Sequence, residues 1–260
     1  MTEVTGRTLH SGLDCRVRIT RQDGPVTFLR GGVRIPALAE HVVSTLRSTT
    51  LGRDGAVVGT VEHVLAALGI RGWWGGLLIE VSRDELPILD GSAAEWLGLI
   101  DGLGEPPAPP APFRPRSAVR VQDGAATAEA VPGAAELDVR VSYEHPLIGC
   151  QQWQGTPADY GELAAARTFG FLEEMPELAR LGLARGATPD NCIVYGTGST
   201  LGPPPAPDEP VRHKALDAVG DLHLLGRPLQ ARVSIVRGSH RLHARLLDGL
   251  LRAGSGSATA

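Results

Sequence analysis

Cysteine is scarce: Cys15, Cys150 and Cys192 are the only three in 260 residues, far apart and without a CxxC spacing. That excludes a disulfide framework and a cysteine-based zinc knuckle, and reduced thiols point to a cytoplasmic protein. A basic excess is missing too. The formal net charge is −4 and the pI about 6.1, so no nucleic-acid partner is expected. The 25 Lys and Arg are nearly all arginine, which we read as coding bias rather than function. No run approaches the ~20 apolar residues of a membrane span. The opening MTEVTGRTLHSG lacks the apolar stretch of a signal peptide. Any membrane contact is therefore expected to be peripheral. Apolar residues are present in quantity, at 42% of the chain, enough for a buried core rather than wholesale disorder.

Proline marks a boundary. GEPPAPPAPFRPR, residues 104–116, carries six prolines in thirteen residues, and proline removes backbone donors and favours extended chain. The expected division is 1–105, a linker over 106–116, a second unit over 117–252 and a flexible tail over 253–260. A second proline stretch, LGPPPAPDEP, reads as a surface loop.

In the first half CRVRIT and GPVTFLR alternate like strands, GTVEHVLAALGI reads as a helix with Thr60 as its cap, GLLIEVS as a strand and SAAEWLGLIDGL as a helix. In the second, SAVRVQ, ATAEAV and ELDVRVSYEH read as strands and GELAAARTFGFLEEMPELARLGL as largely helical. DNCIVYG follows as a strand, EPVRHKALDAVGDLHLLG as a helix, QARVSIVRG as a strand and SHRLHARLLDGLLRA as a last helix. With strands ahead of helices in each half, the expected class is α+β in layers rather than a βαβ alternation. The self-similarity of the halves is weak.

VRHKALDAVGDL puts His213, Asp217 and Asp221 at four-residue steps on one helix face, and residues four apart are neighbours there. His213 and Asp217 can share one ion. Alone, the pair is explained as well by an exposed, helix-stabilising contact. Asp221 continues the stripe and can orient a histidine. A hydrolytic zinc site needs a third protein ligand and an open position. Among the eight histidines, His63 is the best candidate, because adjacent Glu62 can act on a metal-bound water without being a ligand. His240, where a strand gives way to a helix, can serve as a proton donor or oxyanion stabiliser if Asp221 reaches it.

Taken together, GRTLHSG, TVEHVLAAL, ELPILDGSAAEW, ARTFGF, PDNCIV, VRHKALDAVGDL and GSHRLHARLL resemble the UDP-3-O-acyl-N-acetylglucosamine deacetylases, the zinc amidases of lipid A biosynthesis. The resemblance spans roughly residues 5–250. It implies zinc, one ion per chain, on His63, His213 and Asp217, with Fe²⁺ an alternative in the cell. It implies Glu62 as general base, His240 as general acid or electrostatic stabiliser, Asp221 as its orienting carboxylate and Thr168 beside the developing oxyanion. Lys214, Phe169, Tyr143 and His10 fall at substrate-contacting positions. The substrate implied is a small molecule, an acylated UDP-glucosamine, and a monomer is expected. The fold implied is two similar sheet-and-helix domains with their helices packed between the sheets, each with a small insert. One insert, within residues 173–192, is expected to wall a passage for the acyl chain. The pattern departs from the family at Thr8 of TLHSG, where glycine is usual, at GSH in place of SGH, and at Ala126, where a lysine is common. Two other readings stay open at this point: a same-fold zinc deacylase for another N-acyl sugar or nucleotide sugar, and a non-catalytic binding protein on the same scaffold.

Overall fold

This computed structural model describes residues 1–254; most of the expected tail lies outside them. The first half runs β1 (Thr2–Arg7), β2 (Asp14–Arg21), β3 (Thr27–Arg30) and β4 (Val33–Pro36), then an insert of β5 (Val42–Ser44), β6 (Thr50–Arg53) and β7 (Ala56–Val58). It ends with α1 (Glu62–Ile70), β8 (Leu77–Val81) and α2 (Ala94–Asp101). The second half runs β9 (Val119–Asp123), β10 (Ala126–Pro132), β11 (Glu136–Ser142) and β12 (Cys150–Gly155), then an insert of β13 (Phe169–Phe171), α3 (Met175–Arg180), β14 (Ile193–Tyr195) and β15 (Thr200–Leu201). It ends with α4 (Glu209–Leu222), β16 (Ala231–Val236) and α5 (His240–Ala253). The class is α+β.

The halves repeat one topology. The first five-stranded sheet has the order β1-β2-β8-β3-β4, and the second, read from its other edge, β9-β10-β16-β11-β12. In each, the late strand pairs antiparallel with the second strand and parallel with the third. The reading that strands precede helices is corrected here. β8 and β16 each follow a helix and enter the middle of their sheet, which creates one parallel pair per half, because a parallel neighbour requires a crossover connection.

Alternation sets the buried face. Cys15, Val17 and Ile19 of β2, Leu77, Ile79 and Val81 of β8, and Val233 and Ile235 of β16 point inward. They share one apolar core with α1 and α4. α1 is buried from Glu62 to Leu68, and a helix apolar all round belongs inside. It lies along α4, and the approach is close: a Cβ on Gly220 would come 2.0 Å from the Glu62 carbonyl oxygen.

Two further expectations fail. Residues 161–183 are not largely helical, since α3 covers only Met175–Arg180. Phe169–Phe171 is instead drawn into a parallel pairing with β14, and Gly182 takes a left-handed φ of 72°, which ends the helix. Thr60 does not cap α1. Its φ is +58° and its hydroxyl donates to Glu85 Oε1 at 3.4 Å; the cap residue is Val61, without a side-chain bond. The proline segment also has an anchor, for Phe113 bridges Leu229.

Gly220→Ala is expected to push α1 off α4. A loss of about 1–3 kcal/mol, the usual cost of overpacking, would appear as a lower urea midpoint at unchanged m-value.

Candidate active site

The α1–α4 contact sets the start of α1 against the face of α4 that carries His213, Asp217 and Gly220. His63 and His213 approach edge to face, with ring centroids 5.2 Å apart. Asp217 Oδ1 lies 3.8 Å from His63 Nε2 and 3.4 Å from His213 Nε2. His213 Nδ1 sits 3.1 Å from the Ala166 carbonyl oxygen, so it donates there and leaves Nε2 a bare lone pair.

Burial, joined by the neighbouring His213, holds His63 down to about 3, so it is neutral. Burial also lowers His213. Burial alone would protonate Asp217, but His213 and Lys214 outweigh it and keep the carboxylate ionised. For His63 and Asp217 these are the protonation states a metal ligand needs.

Among the described residues, two groups bring ligand atoms within 4.8 Å of one another: His63, His213 and Asp217, and Asp221, His240 and His243. They differ in kind. In the second, His240 Nδ1 donates to Asp221 Oδ2 at 2.8 Å and His243 Nδ1 to the same oxygen at 2.7 Å, so its carboxylate is already engaged by its own histidines, and only His243 Nε2 is left without a partner. In the first, Asp217 Oδ1 and His63 Nδ1 are buried with no partner, and Asp217 Oδ1 stands too far from either imidazole for a good hydrogen bond. A buried, unsatisfied carboxylate oxygen is costly, and a cation among two imidazoles and a carboxylate removes that cost. The N, N, O donor set fits a borderline metal such as zinc.

Glu62 stands beside this group. Its Oε2 accepts from the Thr49 N–H at 2.9 Å, and its Oε1 is 3.9 Å from His240 Nε2. Burial pushes Glu62 up to about 7, with His240 opposing and Asp221 and Asp217 adding. Burial works against charge on His240, but Asp221 and Glu62 prevail and lift it to about 10.

A cavity of about 250 Å³ brings together Glu62, His63, His213, Asp217, His240, Thr168, Lys214, Phe169, Tyr143 and His10. Of the expected site residues only Asp221 lies behind its wall. His10 is carried by the TLHSG loop, whose His10 and Ser11 N–H groups donate to Glu85 at 2.7 and 2.9 Å. Thr8 is fully buried there, and its hydroxyl accepts from the Leu13 N–H at 3.0 Å. Thr168 donates its N–H to the Gly91 carbonyl at 2.7 Å. Gly91 has φ +85° and would place a Cβ 2.1 Å from the Asn191 carbonyl oxygen, which accounts for the glycine in LDGSA. Phe169 packs on Tyr143, centroids 5.7 Å apart, with Lys214 Nζ over its ring at 5.5 Å.

Sequence reasoning passed over two groups, His243 and Thr49. His243 follows His240 by three residues on α5, a spacing that puts both on one face. Thr49 in RSTTL gave no signal.

A profile of the UDP-3-O-acyl N-acetylglycosamine deacetylase family (LpxC) matches residues 1–252. The chain belongs to this family. Curated UDP-3-O-acyl-N-acetylglucosamine deacetylases resemble it along nearly its whole length. That of Myxococcus xanthus is 41% identical over 95% of this chain and 83% of the relative. The Anaeromyxobacter dehalogenans protein is 39% identical over 95% and 84%, and that of Helicobacter pylori strain J99 34% over 96% and 88%.

Adding Zn²⁺ to chelator-treated protein is expected to raise its melting temperature by several degrees, because a ligand at 100 times its Kd adds about 2.7 kcal/mol. The shift should vanish in His63→Ala; an equal shift in that variant would place the ion elsewhere.

Proposed function

We propose that this chain hydrolyses the 2-acetamido group of UDP-3-O-acyl-N-acetylglucosamine, releasing acetate, as a zinc-dependent step of lipid A biosynthesis. The observation that carries the reading is the convergence of His63, His213 and Asp217 on one point of a cavity that Glu62 and His240 also face. His63, His213 and Asp217 would hold the ion. Zinc supplies Lewis acidity to the amide carbonyl and to the attacking water.

Glu62, lifted to about 7 by burial, is basic enough to take a proton from that water as the water oxygen attacks the carbonyl carbon. Negative charge then develops on the carbonyl oxygen. The His240 imidazolium, held by Asp221 Oδ2 at 2.8 Å, and the Thr168 hydroxyl stabilise it. The proton collected by Glu62, or that of His240, passes to the leaving nitrogen as the C–N bond breaks. Lys214 suits the substrate's diphosphate as a compact cation, Phe169 and Tyr143 offer aromatic faces, and His10 lines the same pocket.

We read residues 1–105 and 117–252 as two domains joined by 106–116. No helix among the described residues is long and apolar enough to cross a membrane, and we place the protein in the cytoplasm as a monomer.

The reaction is tested by acetate release from the acylated UDP-sugar, lost with chelator and restored by zinc. Release that survives chelation would remove the metal from the reaction. Glu62→Gln and His240→Gln should each lower kcat by roughly 10²–10⁴-fold. The profile of kcat/KM should be a bell. It rises through about pH 7 as Glu62 ionises and falls near pH 10 as His240 loses its proton. A profile flat from pH 6 to 8 would count against Glu62 as the base.

A further inference from the structure

The geometry points to Thr49, with His243, as a positioning residue that holds the base and the acid of this site in one frame. The inference rests on the reading of Glu62 and His240 given above. Thr49 stands one residue before β6, in the insert of the first half, and is 2% exposed. All its polar atoms are engaged. Its carbonyl accepts from the Val61 N–H at 3.3 Å, just ahead of α1. Its N–H donates to Glu62 Oε2 at 2.9 Å. Its hydroxyl donates to Asp221 Oδ1 at 2.6 Å. One residue thus touches the carboxylate that takes the proton and the carboxylate that aims the imidazolium.

His243 completes the arrangement. Asp221 Oδ2 accepts from His240 Nδ1 at 2.8 Å and from His243 Nδ1 at 2.7 Å, so Oδ1 and Oδ2 are both satisfied by side-chain donors. His243 Nε2 is buried with no partner, so its single useful bond is the one to Asp221. A carboxylate held on both oxygens cannot rotate, and its angle sets where His240 Nε2 points into the cavity. Free rotation would let Asp221 drop one imidazole for the other. The hydroxyl of Thr49 opposes that rotation from the far side, while its N–H fixes the other partner in the proton traffic. Neither residue lines the substrate cavity, so their effect must be on turnover rather than on binding.

Thr49→Val removes the hydroxyl and keeps both backbone bonds. It is expected to lower kcat by roughly 10–100-fold, the range for outer-shell partners, with KM, zinc content and melting temperature close to wild type. Thr49→Ser should restore kcat to within a few-fold. His243→Leu should act like Thr49→Val, and His243→Asn, which keeps an N–H near the Nδ1 position, should be milder. Wild-type kcat in Thr49→Val, with Glu62→Gln inactive, would overturn this inference alone. A loss of kcat that Thr49→Ser leaves unrepaired, or that follows loss of zinc or of fold, would also overturn it. Wild-type kcat in Glu62→Gln would instead bring down the reading on which it rests.

Discussion

The site depends on how closely α1 can approach α4. His63 and Glu62 ride on the first turn of α1, while His213, Asp217 and Asp221 ride on α4. The group His63, His213 and Asp217 is not assembled within one half of the chain. The contact that joins them runs through Gly220, whose missing side chain leaves room for the Glu62 carbonyl oxygen. A methyl group there would displace Glu62, the proposed base, and a shift of about 1 Å is large on the scale of catalytic alignment. The apolar sequence of α1 makes the approach favourable, since its buried stretch from Val64 to Leu68 has no polar face to keep in water.

The topology explains why two histidines meet there. α1 and α4 occupy matching places in the two repeats, each between an insert and the strand that enters mid-sheet. Val61-Glu62-His63 and Val211-Arg212-His213 share the pattern Val-x-His, so packing the two helices together pairs the two imidazoles. The acidic groups break the symmetry. Asp217 and Asp221 come only from α4, and α1 has apolar residues further along its length. The result is one candidate site at the seam, with the proposed base, Glu62, supplied by the first half and the proposed acid, His240 on α5, by the second.

Much of this was legible beforehand, for identifiable reasons. The period of four in VRHKALDAVGDL exposes His213, Asp217 and Asp221 as one stripe, and strand alternation in CRVRIT and QARVSIVRG reports their inward faces directly. The Glu62-His63 dipeptide marked residue 63 as the candidate third ligand, and the family resemblance implied the same pairing with residue 213 across 150 positions. The second insert was misread because its alanines, glutamates and leucines favour a helix locally. The strand Phe169–Phe171 is imposed by a distant partner, β14, together with the Thr168 N–H bond to Gly91, and propensity has no access to such contacts. Thr49 was invisible for a related reason. Its bonds reach Glu62, 13 residues on, and Asp221, 172 residues on, and a threonine in a run of small polar residues has no period to mark it.

The choice of lysine at 214 can be argued from the carboxylate it touches. Everywhere else the chain uses arginine as its cation, and where arginine meets a carboxylate it often takes both oxygens, as Arg167 does with Glu209 and Arg47 with Glu174. A guanidinium in that bidentate geometry would occupy the Asp217 oxygen that stands between the two imidazoles. An ammonium is a point charge. Lys214 Nζ binds Oδ2 at 2.8 Å and leaves Oδ1 bare. It keeps Asp217 ionised in a buried place without competing for the oxygen a cation would take, and its remaining donors stay beside the cavity. The same residue that stabilises the charge of Asp217 thus leaves its Oδ1 free for a cation, which a fork-shaped side chain at this position would not do.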